Sequence, residues 1–394
     1  MTVNCRLMLF FFLGLVVVSL IGFTGKKMET ADQVTTIATL PESVVELWPG
    51  NDNRLLAQTK KHIFELSITG GEEKEVISLD EQISSLPMSD IGWQPTRLAI
   101  VSRELGRPIY SLRIIRPEPE HTFPVPSVYK IDLCTEAGLI LCHTMDAEGL
   151  LPGPLQVLNL QGQPIPQWKE NAQGFFIADA TQSDQEWVVA IALTNEESPI
   201  CWLLTSKGTI RWKKALDPGW VIKQVRISGS AKRVILSLHN YATEESQIIF
   251  LSLDDGTQKA RVQIPAWSGR HLELSPNGRW LTFSGECLIG LVDVTKPGVL
   301  WHTLYGKDLD YWFQYVDVND QGIIAAAFTD HAVPGPIILL LFDNTGKVTP
   351  LWESPNYVNY ASLPQGRSVF WSGDGHTIIL RYGNDVVAIN AAGK

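Results

Sequence analysis

The sequence lacks the residue patterns that carry most enzyme chemistry. Its 394 residues contain no Gly-x-Ser-x-Gly, no His-Glu-x-x-His, no phosphate-binding glycine loop and no Cys-x-x-Cys. Residues 317–322 are similar to the start of a calcium loop, but Phe328 stands where such a loop needs a bidentate glutamate. We interpret this segment as a turn. The sequence therefore predicts no catalytic residue, no cofactor and no metal site.

Cysteine is also scarce, with five residues spread over the chain. Cys134 and Cys142 flank one predicted hairpin turn, but they are not directly opposite each other across it. A disulfide between them is less favoured than two small buried thiols. Basic residues are also outnumbered by acidic ones. The chain has 32 Lys and Arg against 42 Asp and Glu, which gives a net charge of −10. A nucleic-acid partner is not expected, because it needs a basic surface.

Helix signals are nearly absent after the N-terminus. No long stretch keeps apolar residues at the spacing of an amphipathic helix with caps at its ends. Short apolar runs rich in β-branched residues take their place, for example at 188–193, 248–253 and 337–342. Gly, Pro, Asn and Asp bound these runs, which is typical of strands joined by tight turns. We therefore expect an all-β fold.

The N-terminus carries the one long apolar run, residues 7–23, with Arg6 before it and Lys26 and Lys27 after it. This run is long enough to span a bilayer, and its small-residue cleavage site is poor. We predict an uncleaved signal anchor over residues 1–27, with a cleaved signal peptide as the alternative and a buried core helix as the third interpretation. Residues 28–33 are polar and form a linker.

A turn phrase recurs along the rest of the chain. Its clearest copy is Ser-Pro-Asn-Gly at 275–278, and looser copies lie at 318–324 and 372–379. The step between copies is roughly 40 to 50 residues, which is the length of a four-stranded propeller blade. The first aliphatic residues after the turns are Leu55, Leu98, Leu139, Val188, Val234, Leu281, Ile323 and Ile378. The repeat predicts eight blades, or seven if the weak units near Gln94 or Thr181 are misassigned.

Each unit has a second landmark, a glycine turn followed by a tryptophan. Trp168, Trp212, Trp301 and Trp352 follow such turns. A hairpin of this kind joins the third strand of a blade to the fourth. We expect these indole rings between neighbouring blades, where a large flat side chain buries most area.

The strand, glycine turn and tryptophan phrase resembles the repeats of pyrroloquinoline-quinone-type propellers. The phrase at 275–281 is similar to the Ser-Pro-Asp-Gly-Lys turn of WD40-like and Tol-type propellers. The resemblance covers residues 34–394 and implies a β-propeller, while it says little about function. A quinone-dependent dehydrogenase of this fold would be expected to have adjacent cysteines, and no two cysteines are adjacent. The blades also use up the chain that a peptidase domain would need.

The two ends of the chain suggest how the ring closes. The last unit supplies strands at 367–371, 377–382 and 385–390, and its fourth strand is missing. Residues 33–40 form a strand that has no unit of its own. We expect this strand to complete the last blade, since that removes an open sheet edge.

The loops between second and third strands should all emerge on one face of the ring. Seven acidic residues on them form a candidate partner-binding face, namely Asp146, Glu148, Glu196, Glu197, Glu244, Glu245 and Asp330. Such a face would attract a basic partner or cations. Ordinary solvated loops on an acidic protein are the alternative.

Together these observations predict a non-catalytic, monomeric propeller scaffold that contacts a protein partner or the cell envelope. The expected location is a single-pass membrane protein with the propeller outside the cytoplasm, with secretion as the alternative. The second functional class is a propeller that binds or processes a small ligand or glycan at its central channel. Buried carboxylates or histidines with shifted pKa values at the channel would favour that class.

Overall fold

The computed structural model describes residues 34–391 except for 45, 50–53, 60–61, 70–72, 79–91, 95–96, 104–108, 117–120, 127, 135–136, 146–150, 196, 198, 266–270, 286–287, 305–310, 331–333 and 358–367. The predicted anchor or signal peptide at 1–27 and the linker at 28–33 lie outside the described residues. Within the described part, no helix has the length and apolar character needed to cross a bilayer.

The described strands form eight antiparallel sheets in chain order. The first strand, β1 (Val34–Thr39), belongs to the last sheet. Sheet 1 contains β2 (Glu46–Pro49), β3 (Arg54–Gln58), β4 (His62–Ser67) and β5 (Glu73–Ser78). Sheet 2 contains β6 (Gly92–Gln94), β7 (Arg97–Arg103), β8 (Ile109–Arg116) and β9 (His121–Pro126). Sheet 3 contains β10 (Val128–Cys134), β11 (Leu139–Met145) and β12 (Pro152–Asn159). Sheet 4 contains β13 (Phe176–Ser183), β14 (Glu186–Leu193), β15 (Ile200–Thr205) and β16 (Ile210–Ala215).

The second half of the chain repeats the pattern more regularly. Sheet 5 contains β17 (Val221–Ser228), β18 (Arg233–Asn240), β19 (Glu245–Ser252) and β20 (Gln258–Ile264). Sheet 6 contains β21 (His271–Leu274), β22 (Trp280–Gly285), β23 (Leu288–Asp293) and β24 (Val299–Leu304). Sheet 7 contains β25 (Tyr311–Val318), β26 (Ile324–Asp330), β27 (Ile338–Phe342) and β28 (Val348–Glu353). Sheet 8 contains β29 (Val369–Trp371), β30 (Thr377–Tyr382), β31 (Asp385–Asn390) and, at its outer edge, β1.

Sheet 3 departs from the four strands predicted for every unit. The chain after β12 forms only two isolated bridges, Leu158 with Pro164 and Pro154 with Gln173. Pro164 and Pro166 have no backbone N–H to donate, so this stretch runs beside β12 without extending a ladder. The four-strand prediction is therefore wrong for sheet 3.

The first strand pairs with the last one in the chain. β1 runs antiparallel to β31, from Val34 opposite Ile389 to Thr39 opposite Asp385. The hydroxyl of Thr39 also donates to the carboxylate of Asp385 at 2.7 Å. The sequence analysis expected the N-terminal strand at this edge, and the pairing covers an edge that β31 would otherwise expose.

The core lies between successive sheets. Six apolar clusters join sheet 3 to 4, 4 to 5, 5 to 6, 6 to 7, 7 to 8 and 8 to 1. In the cluster that joins the ends of the chain, Phe370 and Ile379 of sheet 8 pack with Leu47 and Leu55 of sheet 1. Each middle strand is covered by a neighbouring sheet on both of its faces. Its sequence is therefore a continuous apolar run rather than an alternation of apolar and polar residues.

The turns between first and second strands contact one another. Three hydrogen bonds of 2.8, 2.7 and 3.2 Å link neighbouring turns in sheets 5 to 8, joining Ser228 to Gly278, Asn277 to Asp320 and Asn319 to Gly375. These turns therefore lie side by side at one end of the sheets. We call this end, formed by the turns at 229–232, 275–279, 319–323 and 372–376, the turn face.

The tryptophans that follow the glycine turns lie between sheets, as predicted. The indole N–H of Trp212 in sheet 4 donates to the carbonyl of Leu253 in sheet 5 at 3.0 Å. Gly256 lies against the same indole, and a Cβ there would come within 2.9 Å of the ring. Trp301 of sheet 6 stacks on Phe342 of sheet 7 with 5.8 Å between ring centroids.

Candidate functional site

The sheet ends opposite the turn face carry the connections from second to third strands and from each sheet to the next. Antiparallel strands reverse at every connection, so these connections leave at the same end. We call this end the loop face; its described residues lie at 40–44, 59, 151, 175, 194–195, 197, 199, 216–220, 241–244, 265, 334–337, 354–357 and 383–384. Phe175 belongs to it because it precedes β13 and accepts the backbone N–H of Thr194 at 2.9 Å. Leu151 lies on the loop face because it directly precedes β12. The opposite end of β12 leads to Ile165, which lies against Gly208 in the turn between β15 and β16, at the other end of the sheets.

The predicted acidic face is only partly within the described residues. Three of its seven members are exposed on the loop face, Glu197, Glu244 and Glu245. Three others lie outside the described residues, Asp146, Glu148 and Glu196. Asp330 ends β26, and its side chain is not described. Glu244 and Glu245 adjoin in sequence, and the hydroxyl of Thr243 donates to the Glu245 carboxylate at 3.1 Å. A role for these residues in partner binding stays a prediction.

Large apolar side chains are also exposed on the loop face. Six such side chains are exposed in the described part of the chain, and four of them lie here, Leu151, Phe175, Tyr241 and Tyr357. Tyr357 is the most open, at 73% exposure. Scattered exposed apolar residues are ordinary, but their concentration at one end of a molecule marks a contact surface.

Tyr241 is held in place by its neighbours. Its ring meets the ring of His239 edge-on, with 4.7 Å between centroids. The ammonium of Lys223 lies 4.7 Å from the centre of the Tyr241 ring and hydrogen-bonds its hydroxyl. These contacts reduce the rotamer freedom that a partner would otherwise have to remove on binding.

A second polar group lies on the first strands of sheets 4 to 7. We call Asp179, Arg226, Glu273 and Tyr315 the inner-strand cluster. Arg226 donates to the Glu273 carboxylate at 3.0 Å, and the Tyr315 hydroxyl donates to the same oxygen at 2.9 Å. Asp179 accepts the backbone N–H of Ile227 at 2.8 Å. The cluster therefore ties four successive sheets together along their first strands.

The ionisation of this cluster is shifted by its surroundings. Burial raises the pKa of Asp179 to about 6, although the Arg226 guanidinium and the N–H of Ile227 oppose the rise. For Arg226, burial lowers the pKa, but the carboxylates of Glu273 and Asp179 outweigh it and leave the pKa above its ordinary value. Arg226 is thus a fixed cation, while Asp179 is a carboxyl that takes up a proton near pH 6.

Two further side chains repeat the contact that Asp179 makes. Gln224 accepts the N–H of Leu272 at 3.0 Å, between sheets 5 and 6. Asp317 accepts the N–H of Trp371 at 2.8 Å, between sheets 7 and 8. A first strand pairs with a partner on one side only, so its other side presents N–H groups that need an acceptor. Polar side chains from the preceding sheet supply it.

A buried histidine and aspartate meet in sheet 3. The Nε2 atom of His143 lies 2.6 Å from a carboxylate oxygen of Asp132. Cys142, next in sequence, points to the opposite face of its strand. Burial, followed by the charge of Asp132, raises the pKa of Cys142 to about 12, so the thiol stays protonated. The pair thus has no activated thiol beside it.

Metal-binding side chains are not clustered in the part of the chain that the structure describes. No group of three or more His, Cys, Asp or Glu side chains there could hold a metal ion. Cys134, Cys142 and Cys201 are buried, in line with the expectation of buried thiols.

The sequence alone did not predict the inner-strand cluster. Its members are separated by 40 or more residues, so no local motif joins them. A signal existed, however, in the repeat. Four polar residues mark equivalent places at the ends of the first strands, namely Ser183, Ser228, Ser275 and Asn319. Counted back from them, Arg226 and Glu273 stand two positions before, and Asp179 and Tyr315 stand four positions before. An alignment of the repeats on these positions would have placed Arg226 and Glu273 in one column, and Asp179 and Tyr315 in another.

Comparisons with known proteins agree on the fold. No family model and no curated protein sequence matches this chain. The C-terminal WD40 domain of Sif2 matches with a TM-score of 0.60 at 13% identity, over 91% of this chain and 98% of that one. The Dos1 propeller matches with a TM-score of 0.57 at 11% identity, over 92% and 95%. BamB from Moraxella catarrhalis matches with a TM-score of 0.55 at 10% identity, over 90% and 99%.

The chain is therefore an all-β propeller. The propeller fold that the resemblance implied is confirmed by these structures. At these identities the likeness concerns the fold, and function must be argued from the surfaces of this chain.

Proposed function

We propose that this chain is a non-catalytic, eight-bladed propeller scaffold that binds a protein partner through its loop face. The eight sheets are its blades. The observation that carries the proposal is the exposure of Leu151, Phe175, Tyr241 and Tyr357 at the same end of the molecule. Aromatic side chains are the commonest anchors of protein interfaces because they bury much area for little loss of rotamer freedom.

The charge of the loop face indicates the kind of partner. Glu197, Glu244 and Glu245 are exposed around the apolar residues, and the whole chain carries a net charge of −10. An acidic rim speeds the approach of a basic surface and repels acidic ones. The partner is accordingly a protein with a basic contact surface.

The proposal includes a membrane tether. The apolar run at 7–23 would hold the chain in a bilayer with the propeller outside the cytoplasm. The test uses the full-length chain with a C-terminal tag. We expect alkaline carbonate to leave it in the membrane fraction, and protease to reach the tag only from the extracytoplasmic side. A mature N-terminus beyond residue 23 would instead assign the chain to the secreted alternative.

The binding test is chemical cross-linking and affinity capture with the full-length chain in mild detergent. The Tyr241→Ser/Tyr357→Ser double variant should lose at least about ten-fold of the captured partner, since interface anchors contribute 2 kcal/mol or more. Lys259→Ser, on the outer strand β20, is the matched control and should capture normally. Raising the salt concentration should weaken capture if the acidic rim contributes. Equal capture by the double variant would contradict the proposal.

A second candidate function is small-ligand or glycan binding at the central channel. It rests on the raised pKa of Asp179 within the inner-strand cluster. The scaffold proposal is favoured because Arg226 already donates to Glu273, and Asp179 already accepts from Ile227. Glycan-array binding at pH 7 that Asp179→Asn abolishes, in a variant whose thermal midpoint has not fallen, would favour the channel instead.

A further inference from the structure

The outer strands of the sheets differ in how their free edges are protected. Native sheets commonly guard an open edge with charged residues or proline, because bare backbone groups recruit other strands. Exposed charged residues occupy β16 and β20, namely Arg211, Lys213, Lys259 and Arg261. In β28, Pro350 and Glu353 are exposed.

β24, the outer strand of sheet 6, has no such protection. It contains no Lys, Arg, Asp, Glu or Pro. Its exposed side chains are Leu300, His302 and Leu304, and each leucine keeps 52% of its surface exposed. Leu300 lies away from the loop face, whereas Leu304 ends β24 at the end of the sheet that adjoins the loop face. An uncharged edge with exposed leucines has the composition of a strand-pairing site.

His302 and Leu304 share one face of the sheet, whereas Leu300 lies at a register shift between Val299 and Trp301. His302 lies opposite Gly290, and Leu304 lies opposite Leu288 on the neighbouring strand β23. Leu288 belongs to the apolar cluster between sheets 5 and 6. A Cβ at Gly290 would come within 2.3 Å of the Phe283 ring and 3.0 Å of the Cβ of His302, so the glycine leaves room mainly for that ring. Leu304 therefore continues the apolar surface between the two sheets out to its rim.

We propose that β24 binds an extended, basic segment of a protein partner by strand addition. The backbone edge would supply the pairing, and apolar side chains at alternate positions of the segment would cover His302 and Leu304. Leu300, at the register shift, would contact one end of the segment. This edge runs along sheet 6 and meets the loop face at Leu304. The proposal therefore rests on the chain being a protein-binding propeller and adds a strand-pairing contact to the loop face.

The net charge of the chain favours a basic partner segment over a second copy of the chain as the occupant of the β24 edge. Two copies would bring net charges of −10 together, whereas a basic segment is attracted. The pairing of two six-residue strands also falls well short of the roughly 1,200–2,000 Å² that stable interfaces bury. A short segment that belongs to a larger contact needs less area of its own.

The test uses a fluorescein-labelled peptide with Val, Leu and Leu at alternate positions, Ser or Thr between them, and two Lys at each end. Fluorescence anisotropy with the full-length chain in detergent should give a Kd on the order of 100 μM. Leu300→Lys and Leu304→Lys should each weaken binding at least about ten-fold, because a lysine guards the edge without disturbing the core. A peptide with N-methylated amides along its pairing edge should lose binding to the same extent.

Tyr357→Ser, on the loop face, is the matched control and should bind the peptide as the parent chain does. Unchanged binding by the leucine variants or by the N-methylated peptide would overturn the proposal, as would no binding at about 1 mM peptide. A dimer in sedimentation that Leu304→Lys dissociates would overturn it too, by giving the edge to a second copy. The loop-face proposal fails on a different result, namely equal capture of the protein partner by the Tyr241→Ser/Tyr357→Ser variant and by the parent chain.

Discussion

Arg226 on the first strand of sheet 5 donates to Glu273 on the first strand of sheet 6 across 3.0 Å, and both side chains are largely enclosed. Charges in such a place must be balanced locally, because water no longer screens or solvates them well. Asp179 and Tyr315 complete the balance on either side. The structure thus keeps a line of polar groups along strands that are otherwise apolar.

Breaking this ion pair should be costly. Arg226→Met leaves the Glu273 carboxylate enclosed without its cation, and we expect a loss of about 3 kcal/mol in the free energy of unfolding. The double variant Arg226→Met/Glu273→Met should recover most of that loss. Lys232→Met, which removes the exposed pair with Asp184, is the control and should leave the denaturation midpoint unchanged. Urea denaturation followed by tryptophan fluorescence measures all of them; equal losses in the single and double variants would contradict the pairing.

The pH dependence of stability should report Asp179. Its folded pKa of about 6 lies above the value of 3.8 for an unfolded chain, so ionisation is disfavoured in the folded protein. Its contribution is most favourable below about pH 4, falls as the pH rises through 6, and then stays level. The total change is up to about 3 kcal/mol.

Asp179→Asn removes this dependence but keeps an oxygen to accept the N–H of Ile227. The difference in unfolding free energy between the variant and the parent should therefore shift in favour of the variant between pH 4 and pH 7. Urea denaturation at several pH values measures it. A difference that is constant over this range would show that Asp179 does not titrate there.

Glycine at the turn face should be required by its neighbours as well as by its backbone angle. Gly278 has a φ of +68°, and a Cβ there would lie 2.4 Å from the hydroxyl oxygen of Ser228. Gly278→Ala should cost about 2 kcal/mol, from backbone strain and from the displaced hydroxyl. Gly383→Ala is the matched control, since Gly383 has a φ of +60° and nothing within 4 Å of a Cβ. It should cost about 1 kcal/mol; equal thermal shifts would remove the role given to Ser228.

The described cysteines should resist alkylation in the folded chain. Cys134, Cys142 and Cys201 are buried. Burial raises the pKa of Cys142 to about 12 and raises that of Cys201 above its ordinary value, so little thiolate forms at pH 8. Peptide mapping after iodoacetamide treatment should find these three residues modified only in denaturant. Rapid modification of Cys142 in the native chain would contradict its burial.

The pairing of β1 with β31 should survive a cut between β1 and β2. A protease site inserted between Pro41 and Glu42 lies in an exposed connection. After cleavage, residues 1–41 should still elute with the rest of the chain in size-exclusion chromatography and separate from it in urea. An uncleaved parent chain is the control. Release of the fragment in native buffer would show that the strand pairing is too weak to hold the ends together.

Local chemistry in the sequence predicted the repeat well. A Pro-Asn-Gly turn and a tryptophan after a glycine hairpin act on a few neighbouring residues, so they can be recognised without knowing the fold. They indicated the all-β class, most strand positions from Val188 onward and the interblade place of Trp212 and Trp301. The same logic failed after β12, where Pro164 and Pro166 removed donors that a fourth strand would have used.

What the amino-acid order alone established is thus the repeating unit and its turns, because these depend on contacts a few residues apart. The tertiary structure decided which distant side chains meet: Asp179 reaches Ile227, and Arg226 reaches Glu273, 48 and 47 positions along the chain. It also decided that Leu300 and Leu304 stay exposed at an unguarded edge. Both outcomes depend on how one sheet lies against the next, and no single repeat contains that information.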